Sequence, residues 1–411
     1  MINKINSVEV IMKYILVLLI ILNSKTVYFG IINNTLTQYA FISFFIVGLI
    51  FFKISARAIK INLIRFILMS TFIAINVLFH FSNMGSGHFK IVIIFLINIA
   101  IMSVIRSQFT NFSFANTYVN LMSLIAIISL ICFGLAVFSP ETATKLVTSF
   151  GNGVDNKYFL SPFYMWGWGR IATRNAGPFW EPGAFQAFIV IAVLMILLVL
   201  LPNTKSKAKM NRLKIQFFIF CVTILTTQST TAYLLFILLS AVFIKDVKRL
   251  FLYNAPKKSQ LLKGFVVFVL VFAGIYYVIS SNNIENKLAG RGNEYSSVEI
   301  RMNDTIESVK LIGEGGAFGL GKTYYTKVME QQRGVINNSN GLLNLIYTYG
   351  IFFAVAYIGF YKKGIDSFFS IKNSKKKYFL YLIFIVFHFT EGLYWLSFFL
   401  FFLFESKKHK Y

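Results

Sequence analysis

Apolar runs about as long as a membrane-spanning helix recur along the whole sequence. A helix needs about 20 mostly apolar residues to cross the hydrocarbon core of a bilayer. The runs lie near residues 10–30, 36–52, 63–80, 91–105, 118–138, 183–201, 264–280 and 342–360. Charged residues make up only 13% of the 411 residues, too few to cover a surface that faces water. The pattern predicts an all-α, polytopic membrane protein.

Two further apolar stretches are interrupted in the middle by polar residues. The stretch 215–244 contains Thr226-Thr227-Gln228-Ser229-Thr230-Thr231, and the stretch 378–404 contains Thr390-Glu391-Gly392. Each polar break suits a tight turn, so each stretch is predicted to be a hairpin of two short helices. Together with the uninterrupted runs, the hairpins give about twelve transmembrane helices. We expect a single integral membrane domain over residues 1–411.

The basic residues are concentrated in alternate loops, such as 205–214 and 372–377, and the net charge is +25. Cytoplasmic loops of membrane proteins are enriched in lysine and arginine. If both termini lie in the cytoplasm, nearly all of the basic excess falls on the inner side. This distribution predicts a multi-pass protein of the cytoplasmic (inner) membrane whose basic loops contact anionic lipid headgroups. It also argues against nucleic acid as the partner of the basic residues.

Most of the remaining polar chemistry falls in two long outer loops, 139–182 and 281–341. Because the inner loops are short and basic and contain no nucleotide-binding motif, we expect any chemistry to occur outside the membrane. Cys132 and Cys221 both lie in apolar runs without metal-ligand spacing, so no metal or other cofactor is predicted.

Arginines and one carboxylate stand out in the first outer loop. Arg170 and Arg174 are four residues apart and would share one face of a helix. Arginine forms forked hydrogen bonds that suit phosphate oxygens, although arginines near aromatic residues also anchor proteins at the membrane interface. Glu181 precedes Pro182 at the start of the sixth predicted span, where it would cap the helix, act as a general base, or hold Arg170 or Arg174 in place.

The second outer loop contains Arg291 and Arg301, and Arg301, Asp304 and Ser308 have helical spacing. The glycine-rich run 313–321 includes Gly319 and Gly321, which would either let a backbone approach a ligand closely or form a turn. Glu391 lies at the outer tip of the last hairpin, where a carboxylate is either functional or simply hydrated.

The order of these motifs resembles that of the Wzy-type O-antigen and capsular polysaccharide polymerases, which are relatives of the O-antigen ligases. The motifs that carry the likeness are Arg174-Asn175-Ala176-Gly177, Phe179-Trp180-Glu181-Pro182-Gly183, Thr227-Gln228-Ser229, Arg301, Gly319-Leu320-Gly321, Ser339-Asn340 and Gly350. Two positions depart from the relatives. Ser229-Thr230 stands where many relatives have Ser-Arg, and Ser339-Asn340 stands where the ligases have His-Asn. The second departure favours a polymerase.

The resemblance implies a GT-C-like membrane glycosyltransferase that needs no metal. It would join oligosaccharide repeat units on undecaprenyl diphosphate into O-antigen or capsule at the outer face of the membrane, with a chain-length regulator and a flippase as possible partners. The catalytic residues implied are Glu181, Arg301 and Glu391. The substrate-binding residues implied are Arg170, Arg174, Arg291, Asn340, Gly319 and Gly321.

Two other functions remain open. An O-antigen ligase would transfer the finished chain to a lipid acceptor. A flippase or transporter would move the lipid-linked oligosaccharide across the membrane, and such proteins place ionisable groups near the middle of their spans. The predicted spans here are almost free of such groups, which favours a transferase.

Overall fold

A computed structural model describes residues 2–24, 26, 42–43, 56–81, 86–150, 157–161, 163–167, 174–252, 297–321, 340–390 and 392–406. Most of these residues are helical, as predicted. The elements are α1 (Ile2–Leu22), α2 (Ala56–His80), α3 (Ser86–Gln108), α4 (Asn111–Phe138), α5 (Pro140–Leu146), β1 (Thr148–Phe150), β2 (Lys157–Ser161), β3 (Tyr164–Gly167), α6 (Pro182–Met195), α7 (Lys207–Thr227), α8 (Thr230–Val242), α9 (Ile244–Leu252), α10 (Ser297–Gly315), α11 (Gly341–Tyr349), α12 (Ile351–Phe369), α13 (Ser374–Thr390) and α14 (Ser397–Leu400).

Among the described residues, four helices are long and apolar enough to cross a membrane. They cover Asn62–His80, Phe89–Gln108, Asn111–Phe138 and Pro182–Asn203. These helices confirm the apolar runs predicted at 63–80, 91–105, 118–138 and 183–201. They are consistent with a helical membrane protein. The run at 264–280 and nearly all of the run at 36–52 lie outside the described residues.

The chain divides into two compact units, each built from two separate stretches of sequence. The first unit comprises Met1–Phe51 and Asn111–Glu285. Its centre is α6, in which every residue from Ala184 to Met195 is buried. Helix α4 packs against α6, and the Tyr118 hydroxyl donates a hydrogen bond to the Phe188 carbonyl oxygen at 3.0 Å. The helix continues as one π-helical and one 3-10 turn to Asn203.

The predicted hairpin over 215–244 is present in the first unit. Helix α7 ends at Thr227 and α8 begins at Thr230. Gln228 adopts the left-handed conformation with φ of 46°, which ends α7 and reverses the chain. The polar break therefore forms a tight turn, as the sequence predicts.

The prediction of an all-helical chain is wrong in the first outer loop. Strands β1, β2 and β3 form an antiparallel sheet in that order. Aromatic residues and short alternating segments favour strands over helices, and the segments Lys157–Ser161 and Tyr164–Gly167 are rich in aromatic residues. Buried Tyr164 packs with Cys132, Ala136 and Ala143, which attaches the sheet to α4 and α5.

The second unit comprises Phe52–Thr110 and Asn286–Tyr411. In this unit the run 342–360, predicted as one span, is two helices separated at Gly350. Gly350 has φ of 91°, a conformation that only glycine adopts readily. The carbon atoms of Phe318 occupy the space that a Cβ atom on Gly350 would need. Packing against the glycine-rich run therefore interrupts the helix.

The last hairpin, predicted over 378–404, also differs from expectation. Helix α13 ends at Thr390 as predicted, but the second arm is only α14 followed by a 3-10 turn at Phe401–Leu403. This arm is far shorter than the 20 or so residues that a span needs. Arg65 donates to the Leu403 carbonyl oxygen at 2.7 Å and forms an ion pair with Glu405. The arm is thus fixed within the second unit by α2.

Candidate functional site

Arg174 lies in an irregular turn of the first unit, seven residues after the end of β3. The residues described from 174 to 180 form no helix, so the helical face expected for this arginine is absent there. The Arg174 Nε atom donates a hydrogen bond to the Thr227 carbonyl oxygen at 3.2 Å. Because Thr227 is the last residue of α7, the α7–α8 turn sets the position of the guanidinium group.

Asn175 holds this turn in place from inside the unit. Its side chain is fully buried, and its Nδ2 donates to the Thr226 Oγ1 at 3.0 Å and to the Ser129 Oγ at 3.2 Å. Its Oδ1 accepts a hydrogen bond from the Gly177 backbone at 2.9 Å. The Asn175 backbone nitrogen also donates to the Thr226 carbonyl oxygen at 2.9 Å. The side chain thus satisfies its polar atoms internally, as a buried amide must.

Gly177 completes the same turn. It has φ of 53°, and a Cβ atom there would lie 2.9 Å from the Phe185 ring. Only glycine combines this conformation with such close contact. The Arg-Asn-Ala-Gly motif is therefore explained by local geometry, in which the asparagine and glycine shape the turn that carries Arg174.

Glu181 marks the start of α6, as predicted. It occupies the N-cap position in an extended conformation, and Pro182 is the first helical residue. The Glu181 carboxylate makes no capping hydrogen bond to the first turn of the helix. The Glu181 carbonyl oxygen accepts the first hydrogen bond of the helix, from the Phe185 nitrogen at 3.2 Å. The half-buried carboxylate is thus not used as a helix cap.

Arg301 is on α10, a helix in the segment predicted to be the second outer loop. The spacing of Arg301, Asp304 and Ser308 correctly predicts this helix. Asp304 and Ser308 are buried, whereas Arg301 is exposed. The Arg301 Nη1 atom donates a hydrogen bond to the carbonyl oxygen of Thr390 at 3.3 Å. A permanent positive charge therefore lies at the carboxyl end of α13, where the helix dipole favours a cation.

Asn340 is joined to Arg301 through Thr305. The Asn340 Nδ2 donates to the Thr305 Oγ1 at 3.4 Å, and the Thr305 hydroxyl donates to the Arg301 carbonyl oxygen at 2.7 Å. Asn340 also caps α11, since its Oδ1 accepts from the Leu343 nitrogen at 3.2 Å. We call Arg301, Thr305, Asn340 and Thr390 the Arg301 cluster.

Hydrogen bonds hold the chain before and after Glu391. Thr390 is bound within the Arg301 cluster, and Tyr394 is bound by Asn344. Glu391 itself lies outside the described residues. Thr390, directly before it, accepts the hydrogen bond from Arg301. Tyr394, three residues after it, donates to the Asn344 Oδ1 at 3.0 Å and accepts from the Tyr357 hydroxyl at 2.9 Å. Asn344 lies one turn after Asn340 on α11.

Gly319 and Gly321 pack against other parts of the second unit. A Cβ atom on Gly319 would lie 2.6 Å from the Thr348 carbonyl oxygen, and one on Gly321 would lie 3.1 Å from the His80 ring. The His80 Nε2 is 2.8 Å from the Gly319 carbonyl oxygen. These contacts give a packing reason for both glycines. Their predicted role in binding substrate stays a prediction.

Asn76 ties the glycine-rich run to α11 and was not predicted from the sequence. Its Nδ2 donates to the Phe318 carbonyl oxygen at 2.6 Å and to the Thr348 carbonyl oxygen at 3.0 Å. An asparagine inside an apolar run was the available indication, because a buried amide in a span needs partners.

The remaining predicted site residues, Arg170 and Arg291, lie outside the described residues, as Glu391 does. The structure thus links Arg301 and Asn340 through Thr305 in the second unit, and Arg301 contacts Thr390, the residue directly before Glu391. Arg174 and Glu181 lie in the first unit, seven residues apart on the segment that leads into α6.

No protein-family model matches this chain, and no curated protein matches it.

Proposed function

We propose that this protein is a membrane glycosyltransferase that joins undecaprenyl-diphosphate-linked oligosaccharide repeats into a surface polysaccharide. The observation that carries the proposal is the Arg301 cluster. An exposed arginine, a helix-capping asparagine and the residue that precedes Glu391 lie together on segments predicted to face the outside. Such an arrangement suits a substrate with a diphosphate group and sugar hydroxyls.

In the proposed reaction a sugar hydroxyl of the acceptor repeat attacks the anomeric carbon of the donor glycan. A new glycosidic C–O bond forms, and the C–O bond to undecaprenyl diphosphate breaks. Arg301 stabilises the negative charge that develops on the leaving diphosphate, because a fixed cation needs no reorganisation during the reaction. A carboxylate takes the hydroxyl proton. Glu181 is the first candidate for this base, and Glu391, which directly follows Thr390 in the sequence, is the second.

Glu181 and Arg174, in the first unit, keep their predicted roles as a catalytic residue and a substrate-binding residue. The absence of a capping bond from the Glu181 carboxylate to α6 supports a role other than helix capping. The network around Asn175 supports a preorganised Arg174, since it fixes the turn on which that arginine lies. Arg170 and Arg291 keep their predicted role in binding a lipid-linked substrate.

The proposed location is the cytoplasmic membrane, with both termini inside and the reaction at the outer face. The one-sided distribution of lysine and arginine supports this orientation. In the proposed arrangement the chain crosses the membrane about twelve times.

Buried charges in the second unit bear on the alternative of a transporter. Arg65 and Arg106 are both buried on helices that are long enough to be spans. Both contact the C-terminal arm: Arg65 binds Leu403 and Glu405, and the Arg106 guanidinium lies 4.9 Å from the centre of the Phe401 ring. Two arginines that fix an internal segment favour a structural role over a transport path.

The test uses cells whose own copy of the gene is deleted and which express variants of the full chain. Arg301→Gln should reduce chain growth by roughly a hundredfold, because it removes a cation aimed at the developing charge. The surface glycan should collapse from a ladder to single repeats on a gel. Lys310→Gln is the matched control, since it removes the same charge from an exposed position on α10.

The outcomes distinguish the proposed function from its rivals. A polymerase leaves single repeats in the deletion strain, whereas a ligase leaves long chains still attached to undecaprenyl diphosphate. A transporter leaves single lipid-linked repeats on the inner face, inaccessible to a membrane-impermeant glycosidase. A normal ladder in Arg301→Gln would remove the Arg301 cluster from the reaction.

A further inference from the structure

A group of lysines surrounds the turn between α12 and α13 in the second unit. The group has one acidic neighbour, Asp366, so positive charge is in large excess. We call these residues the lysine patch: Lys362, Lys363, Lys372, Lys375, Lys376 and Lys377. Four of them are exposed and two are half-buried.

Tyr381 contacts two members of this patch. The ammonium group of Lys362 is 5.5 Å from the centre of its ring, and that of Lys377 is 5.9 Å away. Both distances are within the range of a cation–π interaction. The Tyr381 hydroxyl donates to Asp366, and Lys377 forms an ion pair with the same carboxylate at 2.8 Å. Two cations are therefore held around one aromatic ring.

Within residues 362–381 the six lysines of the patch are accompanied by a single carboxylate. Asp366 is shared by Lys377 and Tyr381, and its hydrogen bond raises the pKa of Lys377, which keeps that lysine charged. Lys375, Lys376 and Lys377 occupy the first turn of α13, where the positive end of the helix dipole disfavours cations. A bound anion would relieve both the mutual repulsion of the lysines and their repulsion by the helix end.

Exposed apolar side chains continue from the patch along both helices. On α12, Val355 and Ile358 lie two turns and one turn before Lys362, with exposed fractions of 64% and 41%. On α13 the helical spacing continues from Lys375 through Tyr378, Leu382, Ile385 and Phe389, which are 70%, 47%, 46% and 41% exposed. A ligand with an anionic head and apolar chains would match a surface that has charge at one end and apolar stripes beyond it.

We propose that the lysine patch is a binding site for an anionic phospholipid. The headgroup phosphate lies between Lys362 and Lys377 beside Tyr381, and the acyl chains follow the exposed stripes of α12 and α13. Clusters of four to eight basic residues next to a membrane-spanning helix are a recognised basis for binding anionic headgroups. The site is separate from the Arg301 cluster and does not depend on the proposed glycan chemistry.

The test measures lipid retention by the purified full-length protein. The protein is exchanged into neutral detergent and titrated with phosphatidylglycerol or phosphatidylcholine, and bound lipid is counted by native mass spectrometry. We expect saturable binding of phosphatidylglycerol and little retention of phosphatidylcholine. Lys362→Gln with Lys363→Gln should weaken phosphatidylglycerol binding by roughly tenfold, because each lysine contributes to headgroup attraction.

Lys207→Gln with Lys209→Gln is the matched control, since it removes two exposed lysines from the start of α7 in the other unit. Retained phosphatidylglycerol in this control supports a specific site. An equal loss in both double variants would show attraction to general surface charge and would overturn the proposal. Equal retention of the two lipids would also overturn it, as would full competition by free glycerol phosphate, which would indicate a phosphate site rather than a lipid site.

Discussion

Gly319 and Gly350 pack backbone against backbone, and a Cβ atom on Gly319 would lie 2.5 Å from the Gly350 nitrogen. Both residues have positive φ, at 76° and 91°. The contact joins the glycine-rich run of the second outer loop to the break between α11 and α12. It is strengthened by a backbone hydrogen bond from Leu320 to Tyr347 at 2.7 Å.

Alanine at either glycine should therefore destabilise the protein. We expect Gly319→Ala or Gly350→Ala to lower the free energy of unfolding by about 2–4 kcal/mol. Each alanine would have a strained backbone conformation, and its Cβ atom would overlap with backbone atoms that cannot move aside. Thermal melting of the purified protein in detergent should show a clear fall in Tm.

Gly313→Ala provides the control for this experiment. Gly313 lies inside α10, and a Cβ atom there would meet nothing within 4 Å. The substitution should leave Tm unchanged or raise it, since alanine favours a helix by about 0.5–1 kcal/mol over glycine. If Gly319→Ala melted like Gly313→Ala, the backbone contact would not exist as described.

The sequence predicts those features of the fold that depend on local composition. Four apolar runs become helices long enough to span a membrane, because run length and charge depletion decide this locally. The polar residues around Gln228 predict the α7–α8 turn for the same reason. The interruption at Gly350 could not be predicted in this way, since it arises from contact with Phe318, a residue distant in sequence.

In the candidate site, too, the sequence predicts the local features but not the contacts between distant residues. Helical spacing predicts α10 and the face shared by Arg301, Asp304 and Ser308. The hydrogen bond from Arg301 to Thr390 joins residues 89 positions apart, and no local pattern indicates it. The sheet in the first outer loop was missed because its strands are short and stabilised by packing of Tyr164 against α4 and α5.

The ion pair between Arg65 and Glu405 should contribute more to stability than a surface pair does. The Arg65 side chain is 8% exposed and also binds the Leu403 carbonyl oxygen. Glu405→Gln leaves this buried cation without its carboxylate, so we expect a cost of about 1–3 kcal/mol and easier proteolysis of the C-terminal arm.

Glu9→Gln is the matched comparison, because it breaks the Glu9–Lys13 pair, in which the Glu9 side chain is 42% exposed. Exposed pairs of this kind contribute about 0.3–0.5 kcal/mol. Equal effects of the two substitutions on melting would show that the C-terminal arm does not depend on Arg65.

Buried Tyr164 should make the stability of the protein depend on pH in the alkaline range. Its side chain is fully buried, and its hydroxyl has no hydrogen-bond partner among the described residues. Burial, with a smaller contribution from Cys132, raises the pKa of Tyr164 well above its ordinary value of 10.0. The protein keeps the full stability linked to this shift below about pH 10, the pKa of the unfolded state. It loses that stability as the pH rises through the higher pKa of the folded state.

Tyr164→Phe should therefore melt at the same temperature as the wild type at pH 7 or slightly higher, because it removes an unsatisfied hydroxyl. Above about pH 10 the wild type should lose stability relative to the variant. Melting curves from pH 7 to pH 11 test this. A Tm of Tyr164→Phe well below that of the wild type at pH 7 would mean that the hydroxyl has a stabilising partner.

Arg174 and Asn175 should separate binding from folding in the first unit. Arg174→Gln removes a cation from a half-buried side chain whose Nε atom donates a hydrogen bond to the Thr227 carbonyl oxygen, whereas the turn itself is held by the Asn175 side chain. We expect a smaller fall in Tm than for Asn175→Ala and a loss of chain growth of roughly a hundredfold in the gel ladder. Asn175→Ala removes a fully buried side chain with three hydrogen bonds, so both melting and chain growth should fall, with a stability cost of about 1–3 kcal/mol. If Arg174→Gln gave a normal ladder while Asn175→Ala lost it, the motif would serve only to shape the turn, and the arginine would have no part in binding the diphosphate.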